Sequence, residues 1–275
     1  MKVSVILVNY NSAVLLRQCL KSVYEQTKGI SFEIIVVDNA SSDDSRQIVH
    51  SEFPDVKLIE SPINLGFSRG NNLGASMAKG MYLLFLNADT ILVENSITLL
   101  ADFLDEHPVV GAVGPRILFE DRHFQLSAGR LPGLAVEFID KIVHFFARRW
   151  RKVVCPILDH WYGNTKTSGW LTGACLMVRH NAFLQTRGFD ENIFMYFEDK
   201  DLCKRINSSG WQIIYYPQTS IIHILAGSSG SVDNHKINEL YRTSQLYYYR
   251  KHLGRLQSVI LRWYLRATGK LQCQR

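Results

Sequence analysis

The chain has 275 residues, 47% hydrophobic and 20% charged, with 18 Gly, 7 Pro and 5 Cys; this excludes a disordered chain, a collagen-like repeat and a disulfide miniprotein, and the length suits one large domain or two small ones. No apolar run nears the roughly 18 residues of a membrane span, and the six-residue run Val3 to Val8 is too short for an export signal, so no export is expected. The net charge of +6 resides in the tail, because Arg242 to Arg275 holds eight Lys/Arg and no Asp/Glu while the first 241 residues carry −2; this argues against nucleic acid as a partner and for a tail that meets an anionic surface.

The first 120 residues alternate between apolar runs and amphipathic stretches. Strands are predicted at Lys2–Val8, Phe32–Val37, Val56–Glu60, Met81–Leu86 and Val109–Ile117. Helices are predicted at Ala13–Gln26, with Leu16, Leu20, Val23 and Tyr24 on one face, and at Ser42–Ser51, Arg69–Lys79 and Ser96–Glu106. Continuous apolar strands separated by such helices imply an α/β fold with a mainly parallel sheet covered on both faces. Ligands of such sheets sit at the carboxyl ends of strands. Polar clusters follow those ends at Asn9-Tyr10-Asn11, at Asp38 to Asp43 and at Asn87-Ala88-Asp89. Beyond Glu120 the alternation is lost, although Leu134 to Ala147 has one apolar face and precedes the basic run Arg148 to Lys152. A strand returns at Leu171–Val178, a helix at Asp199–Ser208 and a strand at Gln212–Tyr216. The five cysteines are scattered and contain no Cys-x-x-Cys pair, which suits a reducing cytosol better than a disulfide or zinc framework.

Five constellations can carry chemistry, and each also has a purely structural use. Asn87 and Asp89 stand two apart at an abrupt strand end, where a carboxylate can hold a hard divalent cation on a diphosphate or make an Asx turn. Asp38 ends a strand, with Ser41 or Ser42 available to cap the next helix; the acid itself is not needed by the cap and suits the polar edge of a base or ribose. The glycines from Gly66 to Gly74 match neither the phosphate loop nor the dinucleotide fingerprint, but they let a loop lie close to a ligand. Within that stretch Arg69 can reach a nucleotide or simply open a helix. Glu198, Asp199 and Asp201 follow the apolar run Phe194-Met195-Tyr196-Phe197. A carboxylate drawn out of water there becomes a usable general base, and acids at a helix start are also favoured by the dipole. His223 ends an apolar strand before a Gly-Ser loop, where it can meet a metal or phosphate or stay in the core.

In this order the segments resemble family 2 glycosyltransferases of the GT-A fold, most nearly the bacterial rhamnosyltransferase-like branch. The likeness runs from about Val3 to Ser229 through Val5 to Asn11, Val37 to Ser41, Asn64 to Phe67 with Gly70-Asn71-Asn72, Leu86 to Asp89, Gly173 to Met177, and Phe189-Asp190 through Arg205. It implies a Rossmann-like sheet flanked by helices and an inverting transfer of a sugar, rhamnose among the candidates, from a nucleotide-diphosphate donor. The acceptor would be a hydroxyl of a cell-surface glycan or lipid-linked saccharide. By the same resemblance Val8, Asn9 and Tyr10 line the base pocket, Asp38 accepts from the base, and Arg69, Asn87 and Ala88 contact the donor. Asp89, with His223, holds Mg²⁺ or Mn²⁺. Asp199 is the general base with Glu198 beside it, and Trp170, Thr172, Gly173 and Ala174 shape the sugar and acceptor pocket. Many relatives carry Asp-x-Asp where this chain has Asn87-Ala88-Asp89, so the metal loses one carboxylate.

The expected organisation is a transferase unit over residues 1–230, divided into a nucleotide-sugar half (1–118) and an acceptor half (119–230), followed by a basic helical extension (231–275). In that extension Leu256, Val259, Ile260 and Trp263 share one helical face and Arg255, Arg262 and Arg266 another. With the Leu134 to Lys152 segment they suggest peripheral contact with an anionic inner membrane leaflet from the cytoplasm. A sugar-nucleotide nucleotidyltransferase is the rival enzyme, but Asn9-Tyr10-Asn11-Ser12 lacks the Gly-rich basic loop it would need. A non-catalytic nucleotide-sugar-binding subunit is the rival without chemistry, against which the pairing of Asp89 with Asp199 speaks.

Overall fold

The structure, a computed structural model, describes residues 1–139, 142, 159–225 and 234–271. Its first part runs β1 (Val3–Asn9), α1 (Ala13–Gln26), β2 (Phe32–Asn39), α2 (Ser45–Glu52), β3 (Lys57–Ser61), α3 (Gly66–Ser76) and β4 (Tyr82–Leu86). The chain then turns through β5 (Thr90–Leu92), α4 (Ser96–Glu106), β6 (Val110–Leu118), β7 (Phe124–Gln125) and β8 (Ala128–Gly129). After a helical stretch at 134–139 come β9 (Lys166–Thr167), β10 (Trp170–Leu171), β11 (Cys175–Arg179), α5 (His180–Gln185), α6 (Glu198–Ser208) and β12 (Gln212–His223). The described chain closes with α7 (Asn234–His252) and α8 (Gly254–Ala267).

The main sheet has the order β3-β2-β1-β4-β11-β6-β12-β5. Its first four strands are parallel, and so are β6 and β12. The apolar runs predicted this, because strands covered on both faces have no solvated side to mark with polar residues. Alternation sorts each strand between two cores. Val3, Val5 and Leu7 of β1 join Leu16, Leu20, Leu100 and Leu104 on the α1/α4 face. Ile6 joins Phe85, Phe183, Phe189 and Leu202 on the α3/α6 face. A third cluster of Phe197, Tyr248, Tyr249, Leu261 and Leu265 fastens α7 and α8 to the loop before α6.

Several local expectations are corrected. The strand expected at Leu171–Val178 is two strands, β10 and β11, because Thr172-Gly173-Ala174 leaves the sheet to meet other groups. β11 lies antiparallel between β4 and β6, and the short strand β5 was not foreseen. The strand from Gln212 runs on to His223. Neither Ser41 nor Ser42 caps α2, which begins at Ser45 with Asp43 Oδ1 accepting from the Ser45 N–H and hydroxyl. The glycines of the expected loop lie on α3 and let it press onto the sheet. A Cβ on Gly74 would stand 2.5 Å from Ile6, and one on Gly70 would stand 3.0 Å from Val8. Of the helix expected at Leu134–Ala147, residues 134–139 are helical; most of the remainder and the basic run 148–152 lie outside the described residues.

Candidate active site

The carboxyl ends of β1 and β2 are placed by register, which sets Asn9 beside Asp38. Asp38 is 1% exposed. Its Oδ1 accepts from the Ser41 N–H at 3.0 Å and pairs with Arg46 at 3.2 Å. Its Oδ2 receives a long 3.5 Å bond from Asn9 Nδ2, which also donates to Ser41 Oγ at 3.1 Å. Asn9 Oδ1 is buried without a partner among the described residues, an acceptor whose desolvation a ligand donor would offset. Two non-glycine residues here take left-handed backbone, Asn11 at φ +50° and Ala40 at φ +63°, the type of strain that collects at ligand sites. Tyr10 is exposed and Val8 half-buried. Arg69 lies in the first turn of α3, 3.6 Å from Glu191.

At the end of β4 the chain bends through Asn87-Ala88-Asp89 into β5. Antiparallel pairing of β5 with β12 sets His223 opposite Thr90. His223 Nε2 therefore stands 3.2 Å from Asp89 Oδ1 and 3.3 Å from Asn87 Nδ2. Its Nδ1 faces the Gln125 side-chain amide, at 3.1 Å from the nitrogen. Among the described residues no three or more His, Cys, Asp and Glu side chains are grouped so that they could hold a metal ion. One carboxylate and one imidazole are present, and such a pair fits a cation that completes its shell with substrate phosphates and water.

The second half of the site is organised around α6. Tyr196 and Phe197, at φ +67° and +69°, form a left-handed double turn that throws the chain into the helix. Gly66, at φ +77°, abuts this segment, and a Cβ there would lie 2.6 Å from the Phe194 carbonyl oxygen. Asp199 Oδ2 accepts from the Gly173 N–H at 3.2 Å, and its Oδ1 accepts from the Lys200 N–H at 2.7 Å. The next residue, Ala174, offers its carbonyl to the Asn87 N–H at 3.0 Å. The strap Thr172-Gly173-Ala174 thus joins the Asn87-to-Asp89 bend directly to Asp199, and Thr172 is fixed by its N–H to Ser127 O at 2.8 Å. Lys200 lies 4.9 Å from the Trp170 ring centre, bringing Trp170 against the base of α6.

The three acids of α6 have different surroundings. Glu198 is 7% exposed and its Oε2 has no partner among the described residues; burial, reinforced by the Asp199 charge, pushes its carboxyl up to about 8, so it is protonated at neutral pH. Asp201 is fully buried, and Arg205, Lys251 and His252 contact it at 2.6–2.7 Å. Burial alone would raise its carboxyl, but the His252 bond and the two cations outweigh this and hold it below the usual range. Asp201 is a tether for α7, which the run of acids in the sequence did not distinguish from its neighbours. The sequence reading also missed Arg46 and Gln125. Arg46 stands in the first turn of the helix that follows the strand-ending Asp38, a faint signal; Gln125 stands in a stretch with no periodicity and gives none.

A family model described as glycosyl transferase family 2 matches residues 4–206. An N-acetylglucosaminyl-diphospho-decaprenol L-rhamnosyltransferase of Mycobacterium tuberculosis is 28% identical over 250 residues, 87% of this chain and 81% of that protein. Among solved structures, TarS of S. aureus superposes with a TM-score of 0.62 at 17% identity, over 93% of this chain and 44% of that one. The mannosyltransferase PcManGT of Pyrobaculum calidifontis, solved with GDP-Man and Mn²⁺, gives 0.60 at 17% identity, over 98% and 81%. Likeness at that identity establishes the shared GT-A fold. The chain belongs to glycosyl transferase family 2, in its rhamnosyltransferase-like branch, and is a nucleotide-sugar glycosyltransferase.

Proposed function

We propose that the enzyme moves a sugar, rhamnose first among the candidates, from a nucleotide-diphosphate donor to a hydroxyl of a cell-surface glycan or lipid-linked saccharide, with inversion. The observation that carries this reading is the strap, whose adjacent residues Gly173 and Ala174 bind Asp199 on one side and Asn87 on the other. Base and diphosphate site are thereby held to one rigid piece of backbone. The rhamnosyl relative, named for a lipid-linked diphosphate saccharide, supports the choice of sugar and acceptor.

In this reading Val8, Asn9 and Tyr10 line the base pocket. Asn9 Oδ1 and Asp38 Oδ2 accept from the polar edge of the base, and Arg69 and Ala88 contact the donor. Asp89 and His223 hold Mg²⁺ or Mn²⁺, with Asn87 beside them; the Mn²⁺ in PcManGT supports a metal in this fold. When bound, the cation would stabilise the charge that grows on the departing diphosphate. Asn87 is neutral, so the pair binds metal less tightly than two carboxylates would.

Asp199 takes the proton of the acceptor hydroxyl as that oxygen attacks the anomeric carbon opposite the diphosphate. The bond to the donor phosphate oxygen breaks, the new glycosidic bond forms, and the proton stays on Asp199 until it leaves to water. Its two backbone donors hold the carboxylate in one orientation. Protonated Glu198 adds no second charge beside it. Trp170, Thr172, Gly173 and Ala174 form the wall against which the sugar and acceptor rest. Residues 1–230 would be the transferase unit, with its nucleotide-sugar half at 1–118 and its acceptor half at 119–230, and 231–275 the extension. The enzyme would work in the cytoplasm, against the inner face of an anionic membrane where a lipid-linked acceptor is met.

The test incubates the protein with Mg²⁺ or Mn²⁺ and a panel of nucleotide-diphosphate sugars, measuring released nucleoside diphosphate, with Asp89→Ala and Asp199→Asn alongside. Release from one donor, lost in both variants, is the expected result. Donor binding without release from any donor, even with a membrane extract as acceptor source, would contradict transferase chemistry at this site.

A further inference from the structure

We infer that the outer face of α8, with the exposed apolar residues Phe138, Ile139 and Ile142 that follow its packing partner Leu134, is a docking face for an anionic lipid bilayer. The inference deepens the membrane contact of the proposed function and rests on that reading for its purpose, while the surface itself is argued from the structure.

On α8 the residues that pack inward are Ser258, Leu261 and Leu265. At about 100° per residue, Leu256, Val259, Ile260 and Trp263 form an arc opposite them. Leu256 is 74% and Trp263 70% exposed, and Val259 and Ile260 are exposed as well. The apolar stripe predicted from the sequence therefore points away from the core cluster that Leu261 and Leu265 join, and among the described residues it packs on no core. Arg255, Arg262 and Arg266 form a row along one flank of the stripe, and all three are exposed. Residues 254–271 contain no Asp or Glu. Leu134 packs in the same cluster as Leu261 and Leu265, and beyond it Phe138, Ile139 and Ile142 are exposed. Among the described residues no helix is long and apolar enough to cross a membrane.

A helix with one bare apolar stripe and a cationic flank lies in the plane of an interface, its apolar side chains among the acyl chains and its arginines on the headgroups. A second copy of the chain would cover the stripe, but its own α8 brings no acid to answer the arginines. An anionic bilayer answers both features at once, with acyl chains for the stripe and headgroups for the arginines.

The experiment floats the full-length protein on phosphatidylcholine vesicles with and without phosphatidylglycerol, at low and high salt. Binding is expected only with phosphatidylglycerol and weakens as salt rises. Replacing Arg255, Arg262 and Arg266 together by Gln should lower partitioning about fivefold per arginine removed. Trp263→Asp and Leu256→Asp should each lower it tenfold or more, with unchanged melting temperature because both positions are exposed. Release of nucleoside diphosphate measured without vesicles should be unchanged in all three, so a failure of docking is separable from a failure of the transferase reading. Wild-type protein that stays in solution, or Asp variants that bind as wild type does, would overturn the inference. So would a dimer in solution that Trp263→Asp dissociates.

Discussion

The donor and acceptor ends of the proposed active site are built by different means. At the donor end, Asn9, Asp38, Asn87 and Asp89 stand where parallel or turning strands stop, and strand register alone puts Asn9 beside Asp38 and His223 beside Asp89. At the acceptor end, Asp199 is held by the Gly173 N–H, by a left-handed double turn at Tyr196-Phe197, and by a helix some fifty residues later. Ser244 Oγ donates to Met195 O at 2.7 Å, Tyr247 OH and Lys251 Nζ donate to Asp190, and Tyr248 packs on Phe197. The donor end is thus a property of the sheet and the acceptor end a property of the whole fold, so the acceptor end should be the more sensitive to distant change.

The sharpest use of this contrast is to remove one function and spare the other. Asp199→Asn keeps the shape but cannot take a proton, and its amide oxygen can accept from only one of the two backbone donors, Gly173 or Lys200. Turnover should fall by about 10²–10⁴, while donor affinity, measured calorimetrically, stays at the wild-type level. Asp201→Ala should act in the opposite sense, on stability. It leaves Arg205, Lys251 and His252 around an empty buried site, a loss of about 3–5 kcal/mol. At ~2–4 °C per kcal/mol for a domain of this size the melting temperature should drop by roughly 6–20 °C. A melting temperature within a degree or two of wild type would mean that α7 is not tethered through Asp201.

The donor end should respond more locally. Asp38→Ala removes a charged acceptor held by Ser41 and Arg46. Donor KM should rise about tenfold or more, in keeping with ~1.5–3 kcal/mol for a hydrogen bond to a charged group, with kcat nearly unchanged. A fall in kcat at constant KM would put Asp38 outside the donor pocket. The last effect concerns Glu198. Its carboxyl is raised in the fold from an ordinary 4.5 to about 8. The folded chain therefore binds the proton over a range in which the unfolded chain has released it, and stability falls as pH rises from about 4.5 to about 8. Glu198→Gln should flatten that decline and raise the melting temperature at pH 8 above that of wild type, read from thermal melts across the range. A pH slope identical to wild type would show that Glu198 ionises freely.

The same contrast decides what the sequence could say. Strands β1, β2 and β4 and helices α1 and α4 were legible because burial on both faces leaves continuous apolar runs and helices leave a 3.6-residue period. The polar residues ending those runs marked the donor end. Asp199 was legible as one of three acids behind an apolar segment, and the family resemblance singled it out. Its separation from Asp201 was not legible, since both occupy the first turn of one helix; only the approach of Lys251 and His252 makes one acid a tether. Gln125 was equally silent, and Thr172, Gly173 and Ala174 were named only through the family resemblance, as a pocket wall; their role as a strap depends on pairings between distant segments that carry no local pattern.

The most direct measurement places Asp199→Asn beside Asp201→Asn and reads turnover, donor affinity and melting temperature in each. The geometry predicts that Asp199→Asn loses turnover by at least about a hundredfold while donor affinity stays that of wild type and melting falls far less than in Asp201→Asn, which loses stability first. Near-normal turnover by Asp199→Asn, or a loss of turnover only in step with a lowered melting temperature, would contradict the assignment of Asp199 as the base.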